Sequence, residues 1–222
     1  MTVRAVLFDL YDTLVWSDWP VMRGEIEREF GVDEQTLIRA FVQTRPARSV
    51  GTFGSAEGDL KAVLDAAGAE VSDERLKQLS DDRVARFLAD GVHLWDDSIP
   101  ALRTLRERGI RTAVVSNCDH ATRPVVERLG LVEATDAMIL SFEARVAKPD
   151  AGIYERALEA VDATAADAVF VDDQVRYCDG ASALGMRSFL ILREGASPEE
   201  GVSAETHGYP VITDLEAFAD RL

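Results

Sequence analysis

Four residues of this 222-residue chain have the types and positions to do chemistry together: Asp9, Ser116, Lys148 and Asp172. They supply a carboxylate able to act as a nucleophile, a hydroxyl donor, a cation and an acid of the kind that holds metals. Three of them end apolar runs. Val6-Leu7-Phe8 precedes Asp9, Val114-Val115 precedes Ser116-Asn117, and Val169-Phe170-Val171 precedes Asp172-Asp173. Lys148 opens a separate Lys148-Pro149-Asp150 segment. An apolar run that breaks abruptly into polar residues is how a buried parallel strand delivers groups to the edge of a sheet. Open α/β sheets bind ligands at those carboxyl ends, near the point where strand order reverses.

Each residue type has a chemical reading beside a plainer one. Burying Asp9 at a strand end is costly unless the carboxylate has a partner or a task. As a nucleophile it forms an ester and splits one hydrolysis into two steps; otherwise it caps a turn. Asp172 and Asp173 beside Asp9 repel one another without a cation. Mg²⁺ prefers hard oxygen ligands and takes one or two carboxylates plus a substrate phosphate. Asp172 is the stronger ligand candidate, with Asp173 a ligand or an acceptor behind it; the plainer reading is acids solvated in a loop. Lys148 precedes a proline that restrains its backbone, which suits a cation aimed at Asp9 and a phosphate; otherwise it is a surface lysine. Ser116 and the Asn117 amide can donate to substrate oxygens, and Thr13 can position Asp9; otherwise all three are turn residues. Tyr11 carries a phenol with a pKa of about 10, a poor proton donor at neutral pH. Along an extended segment, Asp12 faces away from Asp9.

Composition narrows the function classes. The formal charge is −16, from 24 basic and 40 acidic residues, which argues against nucleic acid and anionic membranes as partners. No apolar run reaches bilayer length, and the N-terminus enters a strand with no signal-peptide pattern. Cys118 and Cys178 make no disulfide framework, so a cytoplasmic location is expected. His93, His120 and His207 are too scattered for a zinc site.

Elements must then position the site. Val3–Phe8 reads as the first strand. Helical patterns at Val21–Phe30, Gln35–Thr44, Ala56–Ala67 and Asp73–Ala89 follow, with breaks at Gly31, Pro46, 51–54 and Gly68. From Trp95 strands and helices alternate. Ser98 is the expected N-cap of a helix to Arg108. Strands are expected at Arg111–Ser116, Ala137–Leu140, Ala168–Val171 and Arg187–Ile191, and a short one at Val211–Thr213. Helices are expected after Pro124, at Gly152–Val161, at Val175–Leu184 and at Leu215–Leu222. The alternation predicts an α/β fold with a parallel sheet and right-handed crossovers. The all-helical block then sits over the first strand's carboxyl end as a lid. The expected domains are a core of residues 1–15 and 93–222 and a helical cap of 16–92.

Asp9-Leu-Tyr-Asp-Thr13-Leu, Ser116-Asn117, Lys148-Pro149 and Asp172-Asp173, in that order, resemble the four motifs of haloacid dehalogenase-like hydrolases with a helical cap. The resemblance runs from Val3 to about Arg193. It implies a Rossmann-like core with strand order 5-4-1-2-3 and nucleophilic catalysis by Asp9. It also implies catalytic support from Tyr11, Thr13, Ser116, Asn117 and Lys148. A Mg²⁺ site would be built from Asp9, the Tyr11 backbone carbonyl, Asp172 and Asp173. One departure stands out. Phosphatases of the family commonly have aspartate two residues after the nucleophile, where this chain has Tyr11. The dehalogenase branch commonly has tyrosine there, but it replaces the fourth-motif acids that this chain keeps, and it works without metal. The expected function is Mg²⁺-dependent hydrolysis of a small phosphorylated metabolite. A metal-independent 2-haloacid dehalogenase and a non-catalytic member of the fold are the alternatives. The substrate is expected to be a small anion, bound by a monomer or homodimer. Trp16 and Trp19 are expected to pack lid against core. Arg23, Arg45 and Arg48 are candidates for a substrate carboxylate, and Cys118 is a bystander thiol.

Overall fold

β1 (Ala5–Phe8) is buried on both faces. That is why its sequence is an unbroken apolar run rather than an alternating one. The computed structural model describes residues 2–18, 26–193 and 208–222. The first half of the expected Val21–Phe30 helix, Trp19, Arg23 and His207 lie outside the described residues; residues 26–30 are helical (α1).

β1 pairs in parallel with β4 (Arg111–Ser116) on one side and β6 (Ala168–Asp172) on the other. β5 (Ala137–Leu140) flanks β4, and β7 (Arg187–Ile191) flanks β6. Five strands thus lie in the expected order. The short strand expected at Val211–Thr213 is also present and adds a sixth strand to that order. β8 (Val211–Ile212) continues the parallel sheet beyond β7, held by Leu190 N–H to Pro210 O and Leu192 N–H to Ile212 O at 3.0 and 2.9 Å. The fold is a mostly parallel α/β sheet with helices on both faces.

Alternate residues of the strands serve the two layers. Val6, Phe8, Val114 and Val171 pack with Leu102 and Leu105 of α5 (Ser98–Glu107) and Phe218 of α11 (Leu215–Arg221). Leu7, Val115 and Phe170 pack on the other face with Ile153 and Tyr154 of α9 (Ala151–Ala160) and Cys178 of α10 (Val175–Ala183).

Between β2 (Val15–Ser17) and β3 (Val92–Leu94) the described chain is helical and has its own apolar cluster, with Leu37, Leu60, Leu64, Leu76 and Leu79 at its centre. Its helices are α2 (Glu34–Ser49), α3 (Ala56–Ala66) and α4 (Asp73–Arg86). The sequence pattern missed the ribbon that β2 and β3 form. The two strands are antiparallel and three residues each, and the expected boundaries at 15/16 and 92/93 fall within them. Trp16 stacks on His93 at 4.4 Å within this ribbon and lies 6.4 Å from Trp95.

Three local expectations are corrected. Pro46 lies inside α2 instead of ending it. Side chains hold that turn: Thr44 Oγ1 donates to Ala40 O at 2.8 Å, and Arg48 donates to Phe41 O at 3.0 Å. The last turn expected of the 73–89 helix winds instead as a wider π turn, Phe87–Gly91. Ser98 is not a cap. Asp97 precedes the helix, and Ser98 Oγ donates to Leu14 O at 2.8 Å, tying α5 to the loop after Asp9.

That loop has a second anchor. Arg193 donates to Thr13 O at 2.8 Å and grips Asp97 with two bonds of 2.6 and 2.8 Å, and Asp97 also accepts from Leu215 N–H at 2.8 Å. The Arg193 side chain is only 4% exposed. Removing one partner of a buried pair strands the other charge. Arg193→Met is therefore expected to lower stability by about 3 kcal/mol, read as the midpoint of urea unfolding. A loss under ~0.5 kcal/mol, the size of an ordinary surface substitution, would show that the anchor contributes nothing.

Candidate active site

The carboxyl ends of β1, β4 and β6 bring Asp9, Ser116 and Asp172 together, and the segment before α9 brings Lys148 among them. Lys148 Nζ donates to Asp9 Oδ1 and, at 2.7 Å, to Asp172 Oδ2. All three side chains are buried. Asp172 Oδ1 accepts from Gln174 N–H at 2.8 Å, which fixes the carboxylate at the start of α10. Carboxylate oxygens of Asp9, Asp172 and Asp173 lie within 4.8 Å of one another.

One lysine does not balance three acids in a buried site. Burial, with Asp172 nearby, pushes Asp9 up to about 7 against the pull of Lys148. Burial, with Asp172, Asp9 and Asp12, pushes Asp173 up to about 10. Burial works against a charged Lys148, but Asp172 and Asp9 outweigh it and hold the ammonium protonated above its usual range. Without a further cation the site therefore holds protons on its acids. The donor set, three carboxylates and no sulfur or imidazole, suits a hard divalent cation.

Two hydroxyls of the motif segments are buried. Thr13 Oγ1 and Ser116 Oγ make no hydrogen bond among the described residues. Buried hydroxyls are nearly always satisfied, so these two fit a site that waits for a ligand.

Asn117 has a different task from donating to substrate through its side chain. Its Nδ2 donates to Lys148 O at 2.8 Å and Tyr177 OH at 3.1 Å, and its Oδ1 accepts from Lys148 N–H at 2.7 Å. The side chain is a strut that sets the height of Lys148. Tyr177 was missed in the sequence. Its ring lies 4.7 Å from Lys148 Nζ, and its carbonyl accepts from Tyr154 OH at 2.9 Å. Only its place in the first turn after Asp172-Asp173 could have flagged it.

Tyr11 and Asp12 are placed by a tight turn. Asp12 has φ 59°, in the left-handed region, and its N–H donates to Val15 O at 2.6 Å. The extended segment that would turn Asp12 away from the site is therefore absent, and its charge acts on Asp173. Tyr11 OH lies 3.0 Å from Thr122 Oγ1 at the start of α6 (Thr122–Arg128). Burial and neighbouring Cys118 and Asp119 push the phenol above its ordinary range, so it is no acid at neutral pH. Cys118 is buried, its thiol pushed up to about 12 by burial and Asp119, which makes it a bystander.

The arginine candidates separate. Arg48 pairs with Asp119 at 2.5 Å, joining α2 to the loop after β4. Arg45 is half-buried on the same helix. Beside Arg48 lies a residue the sequence did not single out, Arg83 of α4, which is also buried.

A parallel sheet that carries an aspartate at the end of its central strand, held by a buried lysine and joined by a second pair of acids, defines a hydrolase. A protein-family model described as haloacid dehalogenase-like hydrolase matches residues 3–185, and the chain belongs to that family. Its relatives divide between two chemistries. It is 28% identical to "Phosphatase MT3486" of Mycobacterium tuberculosis, over 96% of this chain and 98% of the relative. It is 25% identical to "(S)-2-haloacid dehalogenase 1" of a Pseudomonas species, over 99% and 98%. Among solved structures, L-2-haloacid dehalogenase of Xanthobacter autotrophicus with chloropropionic acid covalently bound superposes with a TM-score of 0.69. It has 20% identity and covers 99% of this chain and 98% of that one. The comparisons therefore give a haloacid dehalogenase-like hydrolase, either phosphatase or dehalogenase. Among the described residues no helix is long and apolar enough to cross a membrane.

Proposed function

We propose that the chain is a Mg²⁺-dependent phosphohydrolase of small phosphorylated metabolites. The observation that carries this is the third acid. Asp9 and Asp172 both bond to Lys148, so that trio alone would serve a metal-free nucleophile. Asp173 adds a third carboxylate within 4.8 Å, where Lys148 is already shared by the other two acids. A third carboxyl, which burial keeps protonated when no cation is present, has no task in a metal-free attack on a haloacid, but its ionised form suits a hard divalent cation that would supply positive charge beside a phosphate.

In this reading Asp9, Asp172 and Asp173, with the Tyr11 backbone carbonyl, would hold Mg²⁺. When bound, the ion supplies charge neutralisation for the phosphoryl oxygens. An Asp9 oxygen attacks phosphorus, the bond from phosphorus to the ester oxygen breaks, and the leaving oxygen takes the electron pair. Lys148 and Ser116 Oγ stabilise the phosphoryl oxygens as charge shifts. Water then attacks the same phosphorus, which frees inorganic phosphate and restores Asp9. The helical block, read as a lid, covers the site and excludes bulk water. The protein is expected to act on small anions, without nucleic acid or membrane partners, in the cytoplasm.

One hydrolysis panel tests this: aryl and alkyl phosphates against 2-chloropropionate, each with Mg²⁺ and with EDTA. Phosphate release that requires Mg²⁺ is expected, and halide release in EDTA would overturn the reading. The panel also locates the proton donor. A positioned general acid contributes roughly 10²–10⁴ in rate, and Tyr11 cannot be that acid. Aryl esters are therefore expected to react at least about tenfold faster than alkyl esters. Equal rates on both would assign the proton to Asp12, the only other titratable side chain of the turn.

A further inference from the structure

We propose that Tyr177 is a positioning residue for the reaction, holding the Lys148 ammonium beside the nucleophile while Asp9 is esterified. The inference takes from the proposed function only the ester at Asp9, and it is indifferent to whether phosphorus or carbon is attacked. In the free site Lys148 Nζ is held by charge, donating to Asp9 Oδ1 and, at 2.7 Å, to Asp172 Oδ2. Ester formation removes the charge of Asp9, and a hydrogen bond to a neutral acceptor is weaker than one to a carboxylate. One of the two anchors therefore loosens when the second half of the reaction still needs the cation. The restraint that remains must come from groups the reaction does not consume.

Tyr177 supplies that restraint at both ends of the lysine. Its ring centroid lies 4.7 Å from Lys148 Nζ, with that of Phe170 at 5.5 Å. An aromatic ring attracts an ammonium within about 6 Å, most strongly where water is excluded, and all three side chains are buried. At the other end the Tyr177 hydroxyl accepts from Asn117 Nδ2 at 3.1 Å. Asn117 in turn brackets the Lys148 backbone, bonding its N–H and its carbonyl at 2.7 and 2.8 Å. The tyrosine is itself fixed. Its N–H donates to Gln174 O at 3.0 Å and its carbonyl accepts from Tyr154 OH at 2.9 Å. Gln174 N–H also holds Asp172 at 2.8 Å, so one turn of chain sets Tyr177 and the remaining acid together. α10 lies so close to the Lys148-Pro149 segment that a Cβ at Gly180 would stand 2.9 Å from Pro149 O. An apolar side chain would fill this space equally well; only tyrosine gives one lysine both a ring and a hydroxyl-braced backbone.

The test is steady-state kinetics on p-nitrophenyl phosphate with Mg²⁺, expressed per folded molecule. Tyr177→Leu, which loses ring and hydroxyl, is expected to lower kcat at least about tenfold with KM unchanged or lower. Tyr177→Phe keeps the ring and is expected to lose only about threefold. Because the hydroxyl acts through Asn117, Tyr177→Phe is expected to add nothing to kcat once Asn117→Ala is in place. A purely structural tyrosine would lower the melting temperature and leave kcat per folded molecule untouched, which would overturn the proposal. A KM that rises as kcat falls would overturn it too, by making Tyr177 a substrate contact. Should Tyr177→Leu fail to fold, the Tyr177→Phe and Asn117→Ala cycle decides alone, and losses that multiply would overturn the proposal. If the wild type releases halide from 2-chloropropionate and no phosphate, the phosphohydrolase reading falls. The same variants on 2-chloropropionate then judge Tyr177 by the same criteria.

Discussion

Asp9→Asn protein is expected to fold and to turn over on the order of 10³-fold more slowly than the wild type, or less. An amide keeps the shape of the carboxylate but cannot form the ester on which the second half of the reaction depends. Lys148 keeps Asp172 as its partner, so the substitution does not strand the cation. Stability adds a second readout. Burial and Asp172 push Asp9 up to about 7, so at pH 8 without metal its charge is one the fold would discard. The variant is therefore expected to melt at or above the wild-type temperature at pH 8 in chelator. Activity above a few per cent, in fresh protein shown by mass to be free of deamidation, would exclude Asp9 as the nucleophile. A large fall in melting temperature would show instead that the carboxylate is chiefly structural.

The parts legible in the sequence are those that local pattern dictates. β4, β5 and β7 fall at the expected residues because each carries a short, mostly apolar and partly β-branched run bounded by polar or turn residues. The polar ends of β1, β4 and β6 carry the site, so the convergence of Asp9, Ser116 and Asp172 followed from the same kind of pattern. Lys148 carried no such local signal; it came from its place in a motif, and its approach to two acids confirms only its location. Helix breaks at Gly31, Gly51 and Gly68 were legible because each has φ above 60°, where a side chain is disfavoured.

What was illegible depends on contacts between distant residues. The β2–β3 ribbon has three residues per strand, too few for a period to show, and it exists because the two ends of the helical block meet. Pro46 carries a strong local signal for a break, and the side chains of Thr44 and Arg48 override it. Arg193 and Asp97 are 96 residues apart and look like ordinary surface charges until they meet over Thr13. Asn117 reads as a donor at a strand end, but Lys148 and Tyr177 occupy its amide. Asp12 is the sharpest case. Alternation along a strand assigns it to the far side, and a left-handed turn at that residue cancels the alternation.

The acid cluster should also be visible as a pH-dependent stability. Asp9 and Asp173 hold protons more tightly in the folded chain, at about 7 and about 10, than at the ordinary aspartate value of 3.8. The stability this represents is fully present below about pH 4. It is lost as pH rises, through about 7 for Asp9 and about 10 for Asp173. Each group contributes a slope of at most about 1.4 kcal/mol per pH unit inside its window, reduced where solvent screens it. Metal-free protein is therefore expected to melt at a lower temperature at pH 8 than at pH 5. A cation bound by the ionised acids reverses that trend, because a ligand specific to the folded state stabilises it by mass action. Added Mg²⁺ is expected to raise the melting temperature strongly at pH 8 and little at pH 5, where protons compete for the same oxygens. Asp173→Asn should flatten the metal-free pH dependence. Asp172→Ala should abolish the Mg²⁺ effect together with turnover, matching EDTA. Calorimetric melts across pH 5 to 8 decide the matter without any substrate. A melting temperature that neither falls with pH nor responds to Mg²⁺ would mean that Lys148 alone neutralises the cluster, and the metal-free dehalogenase chemistry would then be the better account of this site.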